Sequence, residues 1–404
     1  MRLAAAVLAL ATLAGCSASA PASVDLDARD LDARAAALAR EALIVDTHID
    51  VPYRLQNTPA DVSQRTDGGE FDYPRAVAGG LDVVFMSIYT PAGLQETPGA
   101  SAELADQLID QMDAIAEASP DKFAVVYGTD DVARLRGDGR VLFAYGMENG
   151  APIGDDLSEL TRYFDRGVRY ITLTHGRVNQ ISDSSYDETR TWGGLSPFGE
   201  AVVREMNRLG IMVDVSHVSD EAFYDVMEIT TAPVIASHSS ARAFTPGFER
   251  NMSDAMIERL AENDGVIMIN FGSTFLLQRV QDDRDALRAR FASELETRGL
   301  EAGSPEADAF QAEFDAANPL RLADLSDVAD HIDHVVALVG IDHVGLGSDY
   351  DGVGPTLPEG LKDVSTYPAL VAELLRRGYG EDDVRKVLGG NLMRVWRAVE
   401  AAAE

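Results

Sequence analysis

Six apolar, strand-like runs in this 404-residue chain each end in a His, Asp or Glu. They are 44–50, carrying His48 and Asp50; 141–148, ending in Glu148; 170–175, ending in His175; 211–217, ending in His217; 234–238, ending in His238; and 344–349, ending in Asp349. Neutral imidazoles and carboxylates are the ligands that divalent zinc prefers, and together these supply enough for a two-metal hydrolytic site. His48 and Asp50 stand two apart, so on a strand both side chains point the same way and can reach one cation. Glu148 closes an otherwise apolar run, where an unpaired buried carboxylate is costly. Two cations, one on each oxygen, would satisfy it; a salt bridge to an Arg is the plainer alternative. His217 and His238 end consecutive strands, which lie roughly 4.8 Å apart in a sheet, so at equal heights they can share an ion. Asp349 can take a proton from a cation-bound water and pass it to a leaving amine. His175 can stabilise a developing oxyanion. Arg250 follows the sixth strand, where its planar fork can hold a carboxylate; Arg242 is its nearest rival. Taken singly, each of these residues is as well explained by a capped strand, a turn or a core histidine. What argues against chance is that four of the seven histidines in the chain fall at these strand ends. His331, His334 and His343 read as structural, and Asp351 as a turn residue.

The polar residue always comes at the C-terminal end of its run, which is where a (β/α)8 barrel gathers its active-site groups. Eight strand candidates run along the chain: 43–50, 80–88, 141–148, 168–175, 211–217, 233–238, 265–271 and 343–349. Helical stretches such as 101–118, 155–166, 198–209, 220–228 and 254–263 separate them, and this alternation predicts a parallel sheet. The fold class is α/β, a (β/α)8 TIM barrel. A ninth run at 123–127 reads as an accessory strand. Residues 276–332 read as a helical insertion between the seventh and eighth strands, and 366–377 and 381–400 as two closing helices. No internal repeat and no Gly-rich phosphate loop is present.

At 46% hydrophobic and 25% charged, the chain can bury a full core. A net charge of −33 repels nucleic acid and anionic lipid, so neither is expected as a partner. Its only lysines, Lys122, Lys362 and Lys386, avoid the strand ends, which argues against metals bridged by a carboxylated lysine. The N-terminus reads as an export signal. Arg2 precedes an apolar stretch, Leu3 to Leu13, too short to span a bilayer, and Leu13-Ala14-Gly15-Cys16 resembles a bacterial lipobox. Residues 1–16 are therefore expected to be a lipoprotein signal, 17–29 a tether, and 30–404 one catalytic domain. The mature protein would be lipid-anchored in the periplasm, with Ser17 resembling the outer-membrane pattern. An ordinary signal cut after Ala18-Ser19-Ala20 is the alternative. Cys16 is the only cysteine, so an intrachain disulfide and a Cys-ligated metal are both excluded.

From about Leu43 to Val399 the chain resembles the renal, or membrane, dipeptidases of the amidohydrolase superfamily. The residues that carry the likeness are Asp46-Thr47-His48-Ile49-Asp50, Gly146-Met147-Glu148-Asn149-Gly150, Leu173-Thr174-His175, Gly194-Leu195-Ser196-Pro197-Phe198-Gly199, Asp214-Val215-Ser216-His217, Ser237-His238-Ser239-Ser240, Arg250-Asn251, Gly347-Ser348-Asp349-Tyr350-Asp351-Gly352 and Gly389-Gly390-Asn391. The resemblance implies a barrel with two zinc ions: His48 and Asp50 on the first, His217 and His238 on the second, Glu148 on both. It further implies His175 at the scissile carbonyl, Arg250 on the free carboxylate of a dipeptide, Asp349 as proton carrier, a metal-bridging hydroxide as nucleophile, and a homodimer. The sequence departs from the family at Gly272, where relatives carry an aromatic residue. Two alternatives stand beside the dipeptidase: a related amidohydrolase acting on another amide or a lactam, and an anchored binding protein that has lost catalysis. The second would lack a ligand or Asp349, and none is missing.

Overall fold

The computed structural model describes residues 28–404. The expected export segment, Cys16 and most of the expected tether lie outside the described residues. Ala28 and Arg29, expected at the end of the tether, belong to the helix Ala28–Glu41, whose first turn carries Asp30, favourable at a helix N-terminus.

Nine strands follow in chain order: β1 Ile44–Ile49, β2 Leu81–Tyr89, β3 Phe123–Val125, β4 Val141–Glu148, β5 Val168–Thr172, β6 Met212–Asp214, β7 Ile235–Ser239, β8 Val266–Ile269 and β9 Val344–Leu346. Eight are hydrogen-bonded in parallel in the order β1-β2-β4-β5-β6-β7-β8-β9, and β3 pairs with β4 off that path. All eight expected strands and the accessory strand are present. The barrel closes through a bridge between Ile49 and Tyr350, flanked by Asp349 N–H donating to the His48 carbonyl (3.0 Å) and Asp50 N–H donating to the Tyr350 carbonyl (2.9 Å). The seam that closes the fold therefore runs through three of the candidate site residues.

Period-two alternation sorts the strand side chains into two cores. Val45, Val83, Phe85, Leu142, Tyr170 and Met268 fill the barrel interior, joined by Trp396 from the helix Asn391–Ala402. Ile44, Val84, Phe143, Ile171, Val213 and Leu346 point outward under the surrounding helices. The closing helix expected over 381–400 is broken by a π turn at Lys386–Gly390. Gly389 sits there because a Cβ would meet the Leu43 carbonyl oxygen at 2.6 Å and Val45 Cγ2 at 2.7 Å, so the backbone can lie directly on β1.

Three strands end three residues earlier than expected. His175, His217 and Asp349 lie past the last residues of β5, β6 and β9. His217 and Asp349 are in the left-handed region, at φ 69° and 61°, so the chain turns at the functional residue and does not run through it extended. Non-glycine residues seldom take this conformation, and backbone strain of this kind collects at functional sites. Beyond β8 the expected insertion comprises the helices Gln278–Arg298 and Pro305–Ala317, stapled by Phe291, Phe310 and Phe314 with centroids 5.3–5.9 Å apart. The next helix, Leu325–Val339, packs back on the barrel.

Candidate active site

Glu148 is the centre of the constellation. It ends the inward-facing series Leu142, Ala144, Gly146, Glu148 on β4 and is 4% exposed. Its Oε1 lies 3.0 Å from His217 Nε2, 3.2 Å from His238 Nε2 and 3.6 Å from His175 Nε2. Its Oε2 lies 3.4 Å from His48 Nε2 and accepts a hydrogen bond from Ser87 Oγ at 3.2 Å. One carboxylate oxygen thus faces each side of the cluster. Asp50 joins on the His48 side, Oδ2 to Nε2 at 3.5 Å, although it stands at the head of the helix Val51–Asn57 and not on the strand. The register slips between Asp46 and Ile49 on β1 and between Ala236 and Ser239 on β7, bracketing His48 and His238. Such irregularities re-aim side chains near active sites.

Hydrogen bonds behind the rings set their tautomers. Tyr170 donates its hydroxyl to the Thr47 carbonyl (2.9 Å) and so accepts from His48 Nδ1–H (2.7 Å). Ser237 Oγ donates to Asp214 Oδ2 (2.6 Å) and so accepts from His238 Nδ1–H (2.7 Å). Both arrangements leave Nε2 with a free lone pair toward the centre, the usual backing for a metal-ligating histidine. His48 Nε2 and Asp50 Oδ1 are buried with no hydrogen-bond partner, as is His217 Nδ1. His217 Nε2 and His238 Nε2 face each other at 2.9 Å. Converging lone pairs, orphaned buried acceptors and one shared carboxylate repel one another unless cations lie among them. Three sets of ligand atoms meet within 4.8 Å: His48, Glu148 and His238; Glu148, His175 and His217; and His48, Asp50 and Asp349. The donor set fits two borderline-soft cations of the zinc type.

The electrostatics agree. Burial, then the Arg250 charge, holds His217 well below the usual histidine range; burial, then His48 and Arg250, does the same for His238. Both stay neutral and able to ligate. Burial opposes ionisation of Glu148, but the surrounding imidazoles prevail and hold it well below the carboxylate range. Burial also opposes charge on His48, yet its pKa is raised. The phenol of Tyr170 is itself pushed upward by burial and stays neutral, so the effective attraction on His48 comes from Glu148 and Asp50. A position that attracts a proton so strongly is one a cation can take instead.

Asp349 accepts from Asn270 Nδ2 at 2.7 Å. Burial, reinforced by Asp50 and Glu148, pushes its carboxyl well above the usual range. His175 has Tyr89 edge-on at 4.8 Å and is kept neutral mainly by burial. Arg250 is 3% exposed, donates to Ser239 Oγ (2.7 Å) and the His238 carbonyl (2.8 Å), and lies over the Phe275 ring at 5.4 Å. Its Nε–H has no partner, and among the described residues no carboxylate lies within 4.0 Å of its guanidinium. Arg242, by contrast, grips Asp220 with both terminal nitrogens (2.7 and 2.5 Å) and the Asn251 carbonyl with Nε. Of the two, only Arg250 has a charge left for a ligand. Asp50, Glu148, His175, His217, Arg250 and Asp349 all line one cavity of about 540 Å³, with Tyr53, Tyr89, Tyr186 and Phe275 among its walls.

His331, His334 and His343 lie away from this cavity, as expected. Tyr170 and Asn270 are the residues that strand-end reasoning passed over. Asn270 directly follows the apolar run of β8, so the rule that found the others could have found it. Tyr170 has a subtler signal in its register partner Gly146, where a Cβ would run into the Tyr170 ring.

The sequence profile of Membrane dipeptidase (Peptidase family M19) matches residues 32–404. The chain belongs to this family. Dipeptidase tcpJ of Claviceps purpurea is 37% identical over 341 residues, 83% of this chain and 70% of that one. The crystal structure of the probable dipeptidase PvdM from Pseudomonas aeruginosa matches at TM-score 0.79 and 30% identity, covering 93% of this chain and 100% of that one. A metallo peptidase from Rhodobacter sphaeroides, liganded with a phosphinate mimic of the dipeptide L-Ala-D-Ala, matches at TM-score 0.72 and 26% identity, covering 89% and 99%. This M19 chain is thus a dipeptidase of a metallopeptidase family, on the TIM barrel expected from its sequence. At Gly272, where the sequence departs from the aromatic residue of the family pattern, a Cβ would lie 2.7 Å from Val353 Cγ1 and 2.9 Å from Phe275 Cδ2, so neighbouring side chains already occupy that space.

Proposed function

We propose that the enzyme is a two-zinc dipeptidase that hydrolyses the peptide bond of substrates with a free C-terminal carboxylate. The supporting observation is the division of Glu148, one oxygen toward His217 and His238 and the other toward His48. His48 and Asp50 would hold one zinc, His217 and His238 the other, and Glu148 both. When bound, the zinc pair supplies Lewis acidity at the scissile carbonyl and a hydroxide nucleophile at neutral pH. Asp349, oriented by Asn270 and raised in pKa by burial, accepts the proton of the attacking water and returns it to the leaving amine. Neutral His175 donates an N–H to the oxygen on which charge develops. Arg250, a buried cation with no carboxylate within 4.0 Å among the described residues, receives the substrate carboxylate.

Metal analysis combined with paired substrates tests this reading. The zinc-loaded enzyme should cleave a dipeptide, lose activity to a chelator and cleave the C-terminally amidated peptide far more slowly. Equal rates on dipeptide and amide, or hydrolysis of a lactam with no need for a carboxylate, would favour the wider amidohydrolase reading. The placement of Cys16 in a lipobox supports lipid anchoring at the outer membrane: Cys16→Ser should move the protein from the membrane fraction to the soluble one, or leave it unprocessed.

A further inference from the structure

We infer that the helical insertion makes this enzyme selective for dipeptides that carry an acidic side chain in addition to the C-terminal carboxylate. The inference rests on the dipeptidase reading above. The helix Gln278–Arg298 contributes two residues to the catalytic cavity, Arg284 and Arg288. They are four apart and so share one face of the helix. Their charge is little used by the protein. Among the described residues Arg284 pairs only with Asp285, its own neighbour in sequence, whose side chain is 64% exposed. Arg288 has no carboxylate within 4.0 Å among the described residues.

The acidic residues of the same cavity cannot supply the missing partner. Asp50 and Glu148 belong to the candidate metal ligands, Asp349 is engaged by Asn270, and Asp351 is held by Arg54 at 2.7 Å. Arg250 is a separate positive locus, buried deeper and committed to the main-chain carboxylate. A substrate with only that carboxylate leaves the two rim arginines facing solvent. A Glu or Asp side chain would give them a charge-assisted, fork-shaped partner. There is room for one: Arg284, Arg288 and Thr356 also border a second cavity of about 590 Å³ between the insertion helices and Pro355, lined otherwise mainly by apolar residues, whose one carboxylate, Asp315, accepts from Gln311 Nε2 at 2.8 Å. In a chain of net charge −33, these two guanidinium groups, one held only by an exposed sequence neighbour and the other with no carboxylate within 4.0 Å among the described residues, offer an anionic side chain a place to dock.

The test compares kcat/KM for Ala-Glu against Ala-Gln, and for Glu-Ala against Gln-Ala, with zinc-loaded enzyme. Wild type should favour the acidic member of at least one pair by roughly tenfold, mainly through KM. The pair that shows the preference reports which substrate residue faces the insertion. About 1 M salt, where the Debye length is near 3 Å, should shrink the ratio. R284Q/R288Q should bring it close to one, and R284E/R288E below one, with unchanged circular dichroism. A wild-type ratio near one, or a ratio unaltered in the double variants, would overturn the inference while leaving the dipeptidase reading intact. Inactivity on all four peptides with zinc bound would overturn the dipeptidase reading and this inference with it.

Discussion

The phenol oxygen of Tyr170 lies 2.7 Å from Nδ1 of His48, across 122 residues of sequence, and decides which nitrogen of that imidazole faces the catalytic cavity. The phenol hydrogen is committed to the Thr47 carbonyl, so Nδ1 must be the donor and Nε2 the free base. Tyr170→Phe keeps the ring packed against Gly146 and Phe85 but removes this fixation. Zinc affinity should fall by roughly ten- to a hundredfold, the usual scale for losing the hydrogen bond behind a ligand. Chelator-competition titration measures this, with circular dichroism to confirm the fold. Wild-type affinity in the variant would remove Tyr170 from the site.

Glu148 faces both halves of the cluster, so one substitution there should disturb both. Wild type should contain about two zinc per chain by elemental analysis, with Glu148→Gln lowering occupancy at each position. Full loading of both positions in that variant would show that Glu148 is not the bridge.

Asp349 and Arg250 should fail in different ways. A proton carrier acts in the transition state, so Asp349→Asn should lower kcat by roughly a hundredfold or more with zinc retained. A carboxylate clamp also holds the ground state, so Arg250→Ala should mainly raise KM for dipeptides and matter much less for their amides. Steady-state kinetics of both variants on a dipeptide and its amide separate the roles. Equal loss on the two substrates for Arg250→Ala would sink the clamp. Loss of a zinc in Asp349→Asn would make Asp349 a ligand.

His331 offers a pH test outside the candidate metal-ligand set. Its Nδ1 accepts the Ala241 N–H (3.1 Å) and its Nε2–H donates to the Leu276 carbonyl (3.0 Å), so the folded protein needs it neutral. Burial pushes its pKa down to about 4. The unfolded chain, at about 6.5, binds the extra proton first as pH falls, so stability drops between about 6.5 and 4. At pH 5 the loss relative to pH 7 is about 2 kcal/mol. Asp82, raised to about 6 by burial, works in the opposite sense over part of that window, so the effect must be read as a difference between variants. Urea unfolding of wild type and His331→Gln should show the wild-type advantage shrinking from pH 7 to pH 5. An advantage independent of pH would contradict this assignment.

Residue types and their chain order were legible before any fold was known. Apolar runs of strand length, each ended by a ligand-type residue, located His48, Asp50, Glu148, His217, His238 and Asp349, because periodicity and residue type are local properties. The same local signals placed the eight barrel strands and the helical insertion. The remaining features depend on contacts between distant segments. Whether Arg250 or Arg242 was free to bind a ligand depended on Asp220 reaching Arg242 from another element. The tautomer of His48 depended on Tyr170, and the setting of Asp349 on Asn270, 79 residues away. The left-handed turns at His217 and Asp349 arise where the chain leaves the barrel mouth. The two arginines that reach the cavity from the insertion could not be told from surface charges, since helical spacing shows that they share a face but not what that face meets. Hydrogen-bond partners and free charges are set by which distant segments the barrel brings together, and closure of the barrel between Ile49 and Tyr350 is the event that brings them there.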